Sequence, residues 1–438
     1  MAQIKPLMGL RYNQEKVGNL ATVVTPPYDI IDDKAQNAYY NANSFNIIRL
    51  ELGKKYENDN ESNNVYTRAA ATFAEWYVDG VLIKENKPAL YLYQQEFQAF
   101  GETKIRTGFM CGLKAEDYSK GNVLPHEETL PKHKADRLEL MKACEANFSP
   151  IFGLYSDPEK QIDKALINSI KGKKPDIEIA NWFDEIHRLW VVTDENVVNE
   201  VVSQMANRKI FIADGHHRYE TAVTYAQEMK KLGMRNCDHI LITLVNLYDD
   251  GLVVLPTHRL VKNIKEFDFN QFLNKLQKDF EIIPFSTDNC KETAVDKLLQ
   301  AMAQAGEHNH AFGLYGGDGN LYLLTLRNKD IIDQITDNTK SSPWRHLDVT
   351  ILHTLILENI LDIGAQERAS EGFLSYTRDN LEPVKGVDSG EFQIALLMNP
   401  TKVEEVTAVA QAGEKMPQKS TFFYPKLITG LVINKLGQ

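Results

Sequence analysis

The sequence contains little cysteine and no long apolar run, and both absences narrow the class of protein. Its 438 residues include four widely spaced cysteines, Cys111, Cys144, Cys237 and Cys290, with no Cys-X-X-Cys pair. This spacing does not indicate a disulfide framework and is typical of reduced thiols in the cytoplasm. No apolar segment approaches the length of a membrane span, and the first residues, MAQIKPLMGLRYN, lack a signal-peptide core. We therefore expect a cytoplasmic protein with no membrane partner.

The charge balance argues against nucleic acid as a partner. The net charge is −11, which does not favour a surface built for nucleic acid. Apolar residues make up 43% of the chain and charged residues 25%, as in ordinary globular proteins. With no repeat and no low-complexity tract, the length is sufficient for two or three structural units.

The most informative stretch is Lys209–Ala222, which reads KIFIADGHHRYETA. Its apolar start, Ile210–Ala213, is typical of a buried strand, and the Asp-Gly pair that follows should end that strand. From Tyr219 onward the apolar residues recur at helical spacing, and Gly233 is placed to end the helix. Because a second apolar segment, His239–Leu247, comes next, the pattern predicts a β–turn–α–β unit.

The turn of this unit carries four polar side chains, Asp214, His216, His217 and Arg218, beside Gly215. Backbone N–H groups and the helix dipole favour an anion at a helix start, so we expect phosphate or carboxylate binding here. The alternative is a polar turn in which Asp214 only caps the helix. A zinc site is not favoured, because adjacent histidines on a helix point apart and no cysteine or third histidine lies nearby in the sequence.

A second polar stretch, LPHEETLPKHKADR, lies between Leu124 and Arg137. Its two prolines should stiffen the segment, which leads into a helix and could carry a general base and phosphate-binding cations. The alternative is a solvated surface charge run. The candidate site residues here are His126, Glu127, Glu128, Lys132 and Arg137.

Two shorter patterns bear on the second half of the chain. His258 and Arg259 lie at a strand end, where hairpin pairing would bring them near the first His-Arg pair. Lys419 and Ser420 belong to a polar loop that either lines a phosphate site or merely begins an element.

Two apolar segments are also predicted. Asn46–Leu50 is predicted as a strand, in which Arg49 would either need an anionic partner or reach the surface at an edge. Leu347–Leu361 is predicted as an amphipathic helix, with His353 at the edge of the core.

Several segments together resemble the family called domain of unknown function 1015. The matching segments are TPPYDII (25–31), NIIRLEL (46–52), PHEETLPKHKADRL (125–138), ANFSPIFGLY (146–155), IADGHHRYETA (212–222), LPTHR (255–259) and MPQKSTFFYPKL (416–427). The ADGHHR segment also resembles the nucleotide-binding box of the ParB/sulfiredoxin-like superfamily, which includes kinases that phosphorylate free serine. Sulfiredoxin chemistry is not implied, because His216 stands where sulfiredoxins carry their reactive cysteine.

The resemblance implies a cytoplasmic, nucleotide-dependent kinase with ATP or ADP and Mg²⁺, acting on a free amino acid such as serine. In this hypothesis Gly215, His216 and His217 bind phosphate, Arg218 neutralises charge on the transferred group, and Asp214 holds the metal or orients a histidine. Glu127, with Glu128 as second choice, is the expected base. Lys132 and Arg137 assist phosphate binding, and His126 and Lys132 tune the pKa of the base. The alternatives are a phosphomonoester hydrolase of the phosphoserine type and a non-catalytic nucleotide or metabolite sensor.

The expected fold is mixed α/β (α+β), with mixed sheets, packed helices and a ParB/sulfiredoxin-like β-α-β core. Three regions are expected, 1–185 with the PHEETL loop, 186–265 with the DGHHR box, and 266–438, interlocked into one unit.

Overall fold

The structure is a computed structural model that describes residues 2–127, 131–180, 184–287, 290–370 and 372–437. Two compact units are present. The first comprises Met1–Val253 and Phe423–Gln438, and the second comprises Val254–Phe422. The division differs from the three predicted regions, because strands from residues 1–185 and 186–265 hydrogen-bond within one sheet.

The described strands, in chain order, are β1 (Ile4–Lys5), β2 (Leu10–Tyr12), β3 (Leu82–Lys84), β4 (Leu90–Ala99), β5 (Glu102–Lys114), β6 (Val123–Leu124), β7 (Ala146–Asn147), β8 (Ile151–Tyr155), β9 (Ile177–Ala180), β10 (Ile186–Val192), β11 (Ile210–Asp214), β12 (His239–Asn246), β13 (Val253–Leu255), β14 (His258–Val261), β15 (Phe280–Ser286), β16 (Ala311–Tyr315), β17 (Asn320–Leu326), β18 (Leu374–Thr377), β19 (Ile394–Met398), β20 (Phe422–Tyr424) and β21 (Asn434–Lys435).

The described α-helices are α1 (Gln14–Val17), α2 (Asp33–Ala42), α3 (Ile48–Glu51), α4 (Val65–Val78), α5 (Pro131–Cys144), α6 (Gln161–Ser169), α7 (Glu195–Met205), α8 (His216–Lys231), α9 (Phe269–Leu276), α10 (Lys291–Gly306), α11 (Asp330–Ile335), α12 (Ser342–Arg345), α13 (Asp348–Ile351), α14 (Ala365–Ala369), α15 (Glu382–Asp388) and α16 (Val403–Gln411). Short 3₁₀ turns lie at Leu20–Thr22, Tyr28–Ile30 and Tyr118–Lys120, and a π-helical stretch lies at Leu352–Glu358. None of the helices in the described ranges is long and apolar enough to cross a membrane.

The first unit is built on a mixed sheet. Its described strands follow the order β6-β11-β8-β12-β5-β4-β10-β9, and β1 also pairs with β5. The pairs β6/β11 and β8/β12 are parallel and the other pairs are antiparallel. The predicted mixed α/β fold is therefore confirmed.

The predicted β–turn–α–β unit corresponds to β11, α8 and β12. Strand β8 lies between the two strands, antiparallel to β11 and parallel to β12, so the chain returns in the opposite direction. The apolar side chains Ile210, Ile212 and Ile242 are fully buried, as are Tyr219 and Tyr225 on the inner face of α8. Burial of this face anchors the helix start at the edge where β11 ends.

The second unit contains an antiparallel sheet. The order of its described strands is β15-β17-β16-β19-β14-β18, and apolar clusters bury both faces of the sheet. Helix α10 packs on this sheet. The inner strands β16 and β19 are apolar and buried along their whole length because the sheet is covered on both sides there.

One predicted element is wrong in type, and a second differs in its helical geometry. The predicted strand Asn46–Leu50 is replaced by the short helix α3, because the Asn46 side-chain oxygen accepts a hydrogen bond of 2.9 Å from the N–H of Ile48 and turns the chain. The predicted helix Leu347–Leu361 is confirmed as helical, but it is α-helical only over α13 and then becomes π-helical.

Candidate functional site

The turn between β11 and α8 has a backbone conformation that favours glycine. Gly215 has φ +89°, which L-residues rarely adopt, and an added Cβ would lie 3.0 Å from Arg218 Nε and Nη2. The register of β11 against β8 shifts between Ile212 and Asp214, which is a bulge that redirects the chain beside the turn. Arg218 can therefore fold back over the start of its own helix.

Asp214 lies between two cations. Its Oδ2 is 3.3 Å from Lys426 Nζ and 3.7 Å from Arg218 Nη2. Burial raises the pKa of Asp214, but the positive charges of Lys426 and Arg218 outweigh burial and lower the pKa to about 2. Arg218 Nη1 also donates a 2.6 Å hydrogen bond to the carbonyl of Pro150. Asp214 is consequently ionised at neutral pH and holds two positive groups at the helix start.

The two predicted polar stretches lie side by side here. The His126 N–H donates to His216 Nε2 at 3.2 Å, and His126 Nδ1 lies 2.5 Å from the carbonyl oxygen of Ile212. Since a carbonyl only accepts, Nδ1 of His126 carries a proton, and Nε2 of His216 must be unprotonated to accept. Burial lowers the pKa of His126 to about 4, so this ring is neutral at physiological pH.

Lys426 is positioned by two buried side chains of the central sheet. Arg106 donates to the carbonyls of Tyr424, at 3.2 Å, and Pro425, at 2.6 Å. Gln95 donates to the carbonyl of Lys426 at 3.0 Å and accepts a bond from Arg106. Three consecutive carbonyls are thereby fixed, and Lys426 faces Asp214. Sequence reasoning did not single out Lys426, since only long-range contacts bring it here.

A small cavity lies beside Arg218. Its volume is about 30 Å³, and its polar lining residues are Glu51, Arg137, Asn147, Ser149 and Arg218. Glu51 Oε1 accepts a 2.8 Å hydrogen bond from the Ser149 hydroxyl and lies 3.4 Å from Arg137 Nη1. The arrangement puts a buried carboxylate next to two buried arginines. The sequence did not single out Glu51, because the segment just before it, Asn46–Leu50, was predicted as a strand.

Arg137 is held on several sides. It pairs with Asp136 at 2.6 Å, donates to the Glu51 carbonyl at 2.9 Å, and lies with its Cζ 4.1 Å from the centre of the Tyr28 ring. Burial raises the pKa of Tyr28 to about 12, although the charges of Arg218 and Arg137 act in the opposite direction. Tyr28 therefore remains a neutral phenol against the Arg137 guanidinium.

The remaining predicted residues of the first unit are placed as follows. His217 is half-buried in the first turn of α8, and Glu127 is half-buried next to His126 in the chain. Glu128 lies outside the described residues, as does the side chain of Lys132. The roles predicted for these four residues stay predictions.

His258, Arg259, Lys419 and Ser420 belong to the second unit. His258 is buried; its Nδ1 accepts from the N–H of Met398 at 3.1 Å, and its Nε2 lies 3.0 Å from Asn380 Oδ1. The Ser420 hydroxyl donates to the carbonyl of Pro417 at 2.5 Å. Ser420 and His258 therefore have local hydrogen-bonding roles.

The side chains around Asp214 do not suit the predicted Mg²⁺ site. Among the described residues there is no group of three or more His, Cys, Asp or Glu side chains that could hold a metal ion. Asp214, the predicted Mg²⁺ ligand, is already neutralised by Lys426 and Arg218. A preformed Mg²⁺ site needs several oxygen ligands, and this arrangement does not fit one.

Comparison with solved structures finds distant likenesses. A free serine kinase in complex with AMP is 14% identical, with 72% of this chain and 89% of that chain covered and a TM-score of 0.36. A conserved hypothetical protein from Pyrococcus furiosus is 15% identical, with 74% and 93% covered and a TM-score of 0.33. SbnI from Staphylococcus aureus is 11% identical, with 74% and 81% covered and a TM-score of 0.33. Likenesses this distant carry no functional conclusion.

Comparison with curated protein sequences finds no match. A family model does match, over residues 4–350, and its description is protein of unknown function (DUF1015). The match covers most of the chain, including the helix start, the cavity and the sheet beneath them. The chain therefore belongs to the DUF1015 family.

Proposed function

We propose that this protein is a cytoplasmic phosphotransferase that uses ATP or ADP to phosphorylate a small free amino acid such as serine. The observation that carries the proposal is the juxtaposition of two features at Arg218. This residue pairs with Asp214 at the start of α8, and it also lines the cavity that contains Glu51. A phosphate at the helix start would thus lie beside a buried carboxylate.

The helix start is suited to the nucleotide phosphates. The first intrahelical bond of α8 joins Tyr219 N–H to Gly215 O, so the N–H groups before it point out of the helix end. Lys426 and Arg218 add two positive charges there, with side chains only 13% and 9% exposed. Shielding from water strengthens their attraction for phosphate. We also propose that β11, α8 and β12 form a ParB/sulfiredoxin-like nucleotide-binding core.

The cavity is suited to the acceptor hydroxyl. Its volume of about 30 Å³ exceeds the roughly 10–15 Å³ that a water molecule needs, so it can hold a hydroxyl-sized group. The Ser149 hydroxyl already donates to Glu51 Oε1 at 2.8 Å, which is the geometry that an acceptor hydroxyl would need. Arg137 supplies a cation that would attract the acceptor's carboxylate.

In the proposed reaction the acceptor oxygen attacks the terminal phosphorus of the nucleotide. The new oxygen–phosphorus bond forms as the bridging bond breaks, the hydroxyl proton passes to a carboxylate, and the nucleotide leaves with one phosphate fewer. Glu127 and Glu51 are the two candidates for that carboxylate. Mg²⁺ would enter with the nucleotide phosphates, and Asp214 would orient Lys426 and Arg218.

The test is phosphorus NMR of the purified protein with MgATP, then MgADP, and a mixture of free amino acids. The proposal predicts a phosphomonoester signal that requires one amino acid. Glu51→Gln and Glu127→Gln are compared separately, and the variant of the true base should abolish the signal. Glu228→Gln is the matched control. Glu228 forms an ion pair with Lys142 at 2.8 Å and does not line the cavity.

Two other results would overturn the proposal. Phosphate release from phosphoserine without any nucleotide would identify a phosphomonoester hydrolase. Nucleotide that binds but remains unchanged in every mixture would identify a sensor.

A further inference from the structure

The second unit contains a buried arginine with no acidic partner among the described residues. Arg259 is 1% exposed, and its guanidinium donates to the carbonyls of Thr257 and Lys419, the latter at 3.0 Å. Its Nε has no hydrogen-bond partner within the described residues. Burial lowers the pKa of Arg259 to about 10, and the charge of Tyr376 opposes this shift. A buried cation without a counter-charge is costly unless an anion completes it.

Lys419 brings a second cation to the same aromatic ring. Its Nζ lies 6.0 Å from the centre of the Tyr376 ring, and Arg259 Cζ lies 5.8 Å from that centre. Lys419 has φ +59°, a left-handed conformation that costs energy for a residue with a side chain. The hydrogen bond from Arg259 to the Lys419 carbonyl stabilises this conformation. Lys419 is exposed, so the group of cations extends from the core to solvent.

His353 adds an unsatisfied polar atom to this region. It is 8% exposed, and its Nε2 has no hydrogen-bond partner in the part of the chain that the structure describes. Burial lowers the pKa of His353 well below its ordinary value, and the charges of Arg259 and Arg368 lower it further. His353 also lies in the π-helical stretch Leu352–Glu358, and such stretches occur frequently at functional sites.

We propose that Arg259, Lys419 and His353 form a binding site for a phosphate-type oxyanion. The unpartnered Arg259 Nε and His353 Nε2 would supply buried contacts, and Lys419 would attract the anion from solvent. A planar guanidinium matches two oxygens of a phosphate group. The sequence had offered Lys419 as either a phosphate ligand or the start of an element, and these contacts favour the first. The site lies wholly in the second unit and does not depend on the function proposed for the first.

The test is hydrogen exchange of the full chain with and without inorganic phosphate, with sodium chloride at matched ionic strength as the reference. Phosphate should slow exchange in peptides that cover β14, Leu352–Glu358 and the loop around Lys419. Lys419→Met should raise the phosphate concentration for half-maximal slowing about tenfold or more, because it removes a charged contact. Lys340→Met is the matched control, since Lys340 Nζ likewise lies over an aromatic ring, 5.4 Å from the centre of Trp344.

Arg259→Met should remove the effect entirely, and its circular dichroism must match that of the wild type for this result to count. If Arg259→Met does not fold, Lys419→Met and His353→Gln decide the matter. Unchanged exchange in these three peptides at saturating phosphate would overturn the proposal. So would equal slowing in the wild type and in both remaining variants.

Discussion

Replacing Lys426 with methionine removes one of the two cations that face Asp214 while keeping a long, unbranched side chain. The Lys426 and Asp214 side chains are 13% and 20% exposed, so the loss takes place largely out of water. Arg218 then remains as a counter-charge, at 3.7 Å. We expect the pKa of Asp214 to rise and the first unit to lose stability at neutral pH.

The size of the effect follows from the pKa of Asp214. This pKa is lowered from 3.8 to about 2 in the folded protein. Each pKa unit corresponds to about 1.4 kcal/mol, so ionised Asp214 contributes about 2 kcal/mol to the free energy of unfolding. Because the pKa is depressed by folding, the contribution is complete above pH 3.8 and is lost as the pH falls toward 2. Lys426 is the largest favourable cause, so the variant should lose most of this contribution.

The assay is urea unfolding of the wild type and Lys426→Met at pH 5 and pH 3, with hydrogen exchange in α8 to report on the first unit alone. The variant should be less stable by about 2 kcal/mol at pH 5, and the deficit should shrink by about 1 kcal/mol at pH 3. Lys160→Met is the control, because Lys160 and Asp250 are also 3.3 Å apart but are 38% and 97% exposed. An exposed pair at this distance should leave stability unchanged.

If Lys426→Met lost the same unfolding free energy at pH 5 and at pH 3, this prediction would be contradicted, because the loss would not come from the ionisation of Asp214. A deficit no larger than that of Lys160→Met would refute it as well, because burial would then add nothing to the pair.

Two further substitutions test the turn and the neighbouring histidine. Gly215→Ala and Gly121→Ala should both cost about 1–2 kcal/mol for positive φ, but Gly215→Ala should cost more and should weaken nucleotide binding. The reason is that its Cβ would meet the Arg218 guanidinium at 3.0 Å, whereas nothing lies within 4 Å of Gly121; equal costs in urea unfolding would contradict this. The pKa of His126 falls from 6.5 to about 4 on folding, so the unfolded chain takes up a proton first and stability declines as the pH drops from 6.5 to 4. His126→Gln should reduce that decline by about 3 kcal/mol. The 88% exposed His308, changed to Gln, should leave it intact, and identical pH profiles for both variants would argue against a neutral buried His126.

The start of helix α8 could be predicted from local patterns in the sequence. The apolar run of β11, the Asp-Gly break and the helical spacing after Tyr219 all act over a few neighbouring residues, so the sequence predicts them well. The kinase hypothesis assigned both polar stretches to one site, and His126 does contact His216. The position of β8 between β11 and β12 was not predicted, because strand pairing depends on residues far apart in the chain.

Two contributors to the site could not be found in this way. Glu51 directly follows the segment Asn46–Leu50, which looks like a strand, but the Asn46 side-chain oxygen accepts a hydrogen bond from the Ile48 N–H and the chain turns into a short helix. Lys426 is one of many lysines in the sequence, and only the buried contacts of Arg106 and Gln95 with its segment direct it toward Asp214. Such contacts depend on tertiary packing, which no local periodicity encodes.

We propose that the start of α8 binds nucleotide phosphate through Lys426 and Arg218. The most direct measurement is calorimetric titration of ADP into the wild type, Lys426→Met and Lys160→Met at pH 7. We expect saturable binding to the wild type, an affinity lower by about tenfold or more in Lys426→Met, and no change in Lys160→Met. Equal affinity in all three proteins, or no binding to the wild type, would contradict it.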